Sequence, residues 1–138
     1  DRVKVGRITN ASEQIKYLSK IKETNFSLVV IDNVTDLFSF EFNKEDQNLE
    51  KNVTFMEYMH ELSFISIQKK LPIIVTNMIR QIDDLEKENL GKPISMFTHI
   101  KIKLLKKETK YFGEIFPSFL QKKEFMYQIT KEGLVDSS

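Results

Sequence analysis

The residues Val3-Lys4-Val5-Gly6-Arg7-Ile8 alternate apolar with polar or small side chains, the period of a strand, and Thr9-Asn10 then offers a helix cap. Across residues 11–23, Ile15, Leu18 and Ile21 recur at helical spacing while lysines and Glu13 occupy other positions. This predicts an amphipathic helix whose single apolar stripe packs on a sheet. Phe26-Ser27-Leu28-Val29-Val30-Ile31 is an apolar, β-branched run ending at Asp32. It predicts a strand buried on both faces of a parallel sheet, with helices above and below. The stretch 36–52 is polar and acidic apart from Leu37, Phe38, Phe40, Phe42 and Leu49, and reads as a loop entering a helix.

From 53 to 70, Phe55, Met56, Met59, Leu62, Ser63 and Ile67 cover one broad helical face, and Pro72 bars any continuation. A second buried strand, Ile73-Ile74-Val75, leads to Thr76-Asn77, and the charged stretch 80–92 reads as a surface loop or short helix. Residues 100–104 alternate strictly and 124–130 read as a later strand, so the chain ends in antiparallel neighbours. Strand and helix alternate through the first half, which predicts an α/β layered fold with a mainly parallel sheet. With no repeat, low-complexity tract or Pro/Gly linker, a single domain over 1–138 is expected.

Composition narrows the classes. Hydrophobic residues make up 41% of the chain, enough for a packed core, while 21 basic residues against 20 acidic ones create no global field toward nucleic acid or membrane. Any nucleic-acid contact is therefore local. Without cysteine, disulfides and thiolate chemistry are excluded, and the cytoplasm is the expected address. No apolar run approaches the roughly 20 residues of a bilayer span. The opening Asp1-Arg2-Val3-Lys4 has neither methionine nor signal-peptide character, so a processed or truncated polypeptide is expected.

Asp32 is the strongest site candidate, because open α/β sheets bind ligands at the carboxyl ends of their strands. A fixed carboxylate there suits a hydrated magnesium ion beside phosphates; the ordinary alternative is a capping or turn aspartate. His60 and His99 have no Ser, Cys or second His beside them and read as structural. Tyr111, Phe112, Phe116 and Phe119 around Pro117 read as local core. Lys101, Lys103, Lys106, Lys107 and Lys110 either solubilise an exposed strand or make a phosphate-binding patch.

Read together, the segments Leu28-Val29-Val30-Ile31-Asp32-Asn33-Val34-Thr35-Asp36-Leu37-Phe38 and Leu71-Pro72-Ile73-Ile74-Val75-Thr76-Asn77 resemble RecA-family recombinases of the archaeal RadA and RadB kind. Leu90-Gly91-Lys92, the strand 100–104, Pro117 and the ending Phe125-Met126-Tyr127-Gln128-Ile129-Thr130-Lys131-Glu132-Gly133 extend the likeness over nearly the whole chain. The resemblance implies a RecA-like P-loop NTPase core, a mainly parallel sheet flanked by helices with C-terminal antiparallel strands, of which this chain is the distal part. It implies an ATPase acting in DNA recombination or repair, with ATP and magnesium as cofactors. Asp32 takes the Walker B role through a water-held Mg ion, and Thr76 and Asn77 match the strand end facing the nucleotide. Partners implied are DNA and a RadA-type recombinase or further copies of the chain, with no membrane. Arg80, Lys87, Lys92, Lys101 and Lys103 are the candidate DNA contacts.

Three departures qualify the likeness. Met78 stands where the family has a glutamine that couples nucleotide to the DNA-binding loop, and a thioether donates no hydrogen bond. After Phe38, Ser39 replaces an arginine; Glu41-Phe42 keeps the Glu-aromatic pair, but Asn43-Lys44-Glu45-Asp46 replaces a basic Gly-Arg-Gly turn. Gly-x-x-x-x-Gly-Lys-Ser/Thr occurs nowhere, so ATP binding by this chain alone is expected to be weak or absent, and no residue is assigned a catalytic role. The competing expectations are a non-catalytic module of the same fold that binds a recombinase or other protein, and a KaiC-like regulatory ATPase.

Overall fold

The computed structural model describes residues 2–82, 85–117, 121 and 123–137. They fall into two compact units, Asp1–Phe97 and Thr98–Ser138.

In the first unit, α1 (Ala11–Glu23) begins where expected. Asn10 Oδ1 accepts from the Glu13 amide at 2.7 Å, and the Glu13 carboxylate accepts from the Thr9 amide at 2.9 Å, so each supplies a partner for a helix-terminal donor. β1 (Val29–Ile31) is followed by α2 (Asp36–Glu41), a 3-10 turn (Glu45–Gln47), the long α3 (Asn48–Lys69) and β2 (Ile73–Val75). β1 and β2 pair in parallel, with Val29 opposite Ile73 and Ile31 opposite Val75. Their long connection through α2 and α3 is what a parallel pair requires. β3 (Ile79–Ile82) and β4 (Leu85–Glu88) form an antiparallel hairpin, and α4 (Gly91–Phe97) packs on α3.

The core lies between α1, α2, α3 and the β1–β2 pair. Phe38 and Phe55 are wholly buried, meet edge-to-face at 5.0 Å between ring centres, and pack with Tyr58, Met59, Leu62 and Ile65. α3 ends in a left-handed Lys70 (φ 50°), where the Leu71 amide reaches back to the Ser66 carbonyl at 2.9 Å and the Lys70 amide to Ile67 at 3.3 Å, and Pro72 follows.

In the second unit, β5 (Ile100–Lys107), β6 (Lys110–Pro117), β7 (Lys123–Thr130) and β8 (Gly133–Asp136) form an antiparallel sheet in sequence order. Gly113 is required there because the Phe125 ring lies over it and occupies the place a Cβ would take.

The fold is α/β, but the parallel pairing expected to dominate is confined to β1–β2, and the other described pairs are antiparallel. Short connections after β2 dictate this, because tight turns join only antiparallel neighbours. Residues 3–8, expected as a strand, form no ladder among the described residues, and Val3 and Val5 are exposed. The strand expected over 26–31 is three residues long. Residues 36–52 do enter a helix, α3, but α2 and the 3-10 turn precede it where a loop is expected, and 80–92 hold the hairpin and the start of α4. On α3 the buried face runs through Tyr58 and Ile65, leaving Ile67 62% exposed. In the aromatic group near Pro117, Tyr111 and Phe112 are half-buried, Tyr111 lying 5.4 Å from Tyr127 between ring centres, and Phe116 is exposed, while Phe119 lies outside the described residues.

Candidate functional site

The β1–β2 pair sets two chain ends side by side. Asp32 follows β1 and Thr76 follows β2, and the Thr76 hydroxyl donates to Asp32 Oδ1. Asp32 is exposed and lines a cleft of about 320 Å³ together with Gly6, Tyr17, Val30, Asn33 and Asp36. Asn33 shapes the turn: its Oδ1 accepts from the Thr35 amide at 2.8 Å and the Asp36 amide at 3.2 Å. Beneath the cleft, Gln14 donates to the Val34 carbonyl at 3.1 Å, and burial raises the Tyr58 phenol above its ordinary pKa of 10.0, an effect its hydrogen bond with Gln14 opposes.

This arrangement can hold a hydrated cation only partly. Among the described residues no group of three or more His, Cys, Asp or Glu side chains gathers to ligate a metal. Asp32 fits magnesium through water, provided a phosphate supplies the remaining oxygen ligands. The triphosphate itself does not fit these residues alone, because Asp32 and Asp36 both bring negative charge to the cleft.

A web of amides runs from the strand ends to the hairpin. Thr35, wholly buried, sets its hydroxyl 2.7 Å from Asn77 Oδ1. Asn77 Nδ2 donates to the Asn89 carbonyl at 2.8 Å, and Asn89 Nδ2 donates to Ser39 Oγ at 2.7 Å. On the hairpin, the register sets Arg80 directly opposite Lys87, both exposed on one face, while Glu86 and Glu88 occupy the other.

The Rad51 family model matches residues 1–137. The chain belongs to the Rad51 family. It is therefore a member of the RecA/RadA superfamily and is related to the proteins of recombination and repair. Among curated proteins none matches the chain.

Of the residues singled out in the sequence, the structure brings Asp32 and Thr76 into contact, with Asn77 one residue on. Arg80 and Lys87 also come together, and exposed Lys92 stands in the first turn of α4. Lys101 and Lys103 lie in the second unit, on β5. There they are half-buried and engaged by neighbours, whereas Ile100, Ile102 and Leu104 are 60%, 55% and 63% exposed. Lys106 and Lys107 lie over the Tyr111 and Phe112 rings at 5.5 and 5.8 Å. His60 packs against Phe97 at 5.6 Å, in keeping with a structural role. Glu41, read as half of a DNA-loop pair, accepts from the first amide of α1 at 2.8 Å and so caps that helix. Sequence reasoning missed Asn89, whose partner Ser39 is 50 positions away, a separation that no local periodicity encodes.

No helix among the described residues is long and apolar enough to cross a membrane.

Proposed function

We propose that the chain is the distal part of a RecA-like ATPase core that acts on DNA in recombination or repair, in the cytoplasm. The observation that carries this reading is the contact between Asp32 and Thr76 at the carboxyl end of a parallel strand pair, in a member of the Rad51 family. Asp32 holds magnesium through water, and Thr76 fixes the carboxylate's orientation; Thr76 and Asn77 face the nucleotide. ATP with magnesium supplies the energy of conformational switching when bound. The phosphate cradle comes from outside this sequence, where no Gly-x-x-x-x-Gly-Lys-Ser/Thr occurs.

DNA contact belongs first to the Arg80–Lys87 face of the hairpin, with Lys92 near in sequence. Two cations directly opposite each other on a hairpin repel, and a phosphate set between them relieves that repulsion. Lys101 and Lys103 are the weaker candidates, being half-buried and already engaged. A RadA-type recombinase or another copy of the chain is the expected protein partner.

The test is binding of a fluorescent ATP analogue with magnesium to the full-length protein and to its Asp32→Ala variant. Magnesium-dependent binding that Asp32→Ala weakens at least tenfold supports the reading. Binding by wild type that ignores both magnesium and Asp32 refutes the metal role. A non-catalytic module that binds a recombinase is the second reading, favoured by Met78 and by the two cleft carboxylates, and absence of any nucleotide binding would select it.

A further inference from the structure

We infer that Ser39 and Asn89 form a clamp that fixes the β3–β4 hairpin against α2 without help from a nucleotide. The inference deepens the proposed DNA reading and rests on it for its consequence, but the clamp itself is a matter of hydrogen bonds. A two-stranded hairpin is marginal in water by itself, so its pose depends on what holds its base. Here the base is held from both sides. At its start, the Met78 amide donates to Asn77 Oδ1 at 2.9 Å; at its end, the Asn89 amide donates to the Met78 carbonyl at 3.2 Å. Asn77 Nδ2 closes the ring on the Asn89 carbonyl at 2.8 Å, and Asn89 Nδ2 then reaches Ser39 Oγ on α2 at 2.7 Å.

Ser39, Asn77 and Asn89 are half-buried, so water competes poorly for these bonds. The Asn77 carboxamide oxygen already accepts from the Met78 amide and stands within reach of buried Thr35. The Met78 side chain offers no donor with which to sense a phosphate at the strand end, and its amide is held by Asn77. The polar groups that could pass a nucleotide signal from the strand end to the hairpin thus bond to each other. Ser39 and Asn89 are positioning residues: they hold the Arg80–Lys87 face in one pose whether or not ATP is present.

Hydrogen exchange of the nucleotide-free, full-length protein tests the clamp. Losing one such bond should speed exchange of the Arg80 and Lys87 amides, which the ladder register bonds across the hairpin, about fivefold in both Ser39→Ala and Asn89→Ala, with α3 amides unchanged. The double variant should match either single one, because both remove the same bond. Ser39→Thr keeps the acceptor and should exchange like wild type. Unchanged hairpin exchange in Ser39→Ala and Asn89→Ala overturns the clamp, as does a Ser39→Thr variant that behaves like Ser39→Ala. Hairpin exchange that responds to magnesium and ATP overturns its independence of nucleotide. Binding of a labelled single-stranded oligonucleotide is measured alongside. An oligonucleotide that wild type does not bind refutes the DNA reading while the exchange result still decides the clamp.

Discussion

Two lysines join α1 to α3, and the structure assigns them unequal weight. Lys69, half-buried on α3, points its ammonium at the end of α1 and donates to the carbonyls of Ile21 at 3.1 Å, Lys22 at 2.7 Å and Thr24 at 2.6 Å. These carbonyls lie at the helix terminus, where intrahelical partners run out and the macrodipole is negative. Lys22 instead pairs with Glu61 between side chains 47% and 33% exposed. Replacing Lys69 with methionine keeps the apolar stem and deletes the charge and all three bonds. A hydrogen bond to a charged group contributes about 1.5–3 kcal/mol. Water replaces part of this at a half-exposed site, so about 2 kcal/mol for the whole set is the expected loss.

Urea unfolding followed by circular dichroism measures it. With a slope of about 1–3 kcal/mol per molar, the Lys69→Met midpoint should fall by roughly 1 M at unchanged slope. Lys22→Met should lose under about 0.5 kcal/mol and should matter even less in high salt. The reasoning is refuted if Lys69→Met costs no more than Lys22→Met, because three carbonyls at a helix end would then be as well served by water as by the ammonium.

Tyr58→Phe should flatten the alkaline loss of stability. Burial raises the folded-state pKa of Tyr58, so its contribution is complete below the unfolded value of 10.0 and is lost as pH rises through the folded one, which thermal unfolding between pH 8 and 11 would follow. Lys70→Gly should raise stability by about 0.5–1 kcal/mol in the same urea assay, because Lys70 sits at φ 50° where glycine is unstrained. Gly113→Ala should cost about 1–3 kcal/mol as the Phe125 ring is pushed aside, and adding Phe125→Leu should recover part of it; a purely additive double variant would contradict the packing seen.

Elements held by a local period are legible: α1 with its Asn10 cap and the alternating β5 follow from spacing, whereas β1 and β2 stand where their apolar runs put them but are not buried on both faces, Val30 and Ile74 being 58% and 52% exposed. What the period cannot encode is the partner. Residues 3–8 alternate like a strand yet lie outside any ladder, because alternation states which face a residue takes and not what it pairs with. On β5 the alternation was right, but the aliphatic residues are the exposed set and Lys101 and Lys103 the half-buried one. Hydrophobicity alone would assign those faces the other way round. At the site, Asp32 is legible from its place at the end of an apolar run, whereas its role toward a nucleotide and the choice of Thr76 follow from the family resemblance, because four hydrophobes and an aspartate are a weak motif by themselves. Ser39 entered only as a missing arginine and Asn89 not at all, since their bond exists only once α2 and the hairpin base are folded together.

The hairpin carries the sharpest conflict between local and global preference in the chain. Arg80 and Lys87, opposite each other, destabilise the strand pair that bears them, and exposed Leu85 beside them adds no packing. A hairpin chosen for stability alone would set a carboxylate across from Arg80. Instead, among the described residues, the carboxylates Glu86 and Glu88 take the opposite face of the ladder. An anion meeting the Arg80–Lys87 face, as in the proposed DNA contact, would offset the repulsion across that pair. The base bonds through Asn77, Asn89 and Ser39 then have a clear physical task, which is to hold in place a hairpin that its own cross-strand charges push apart.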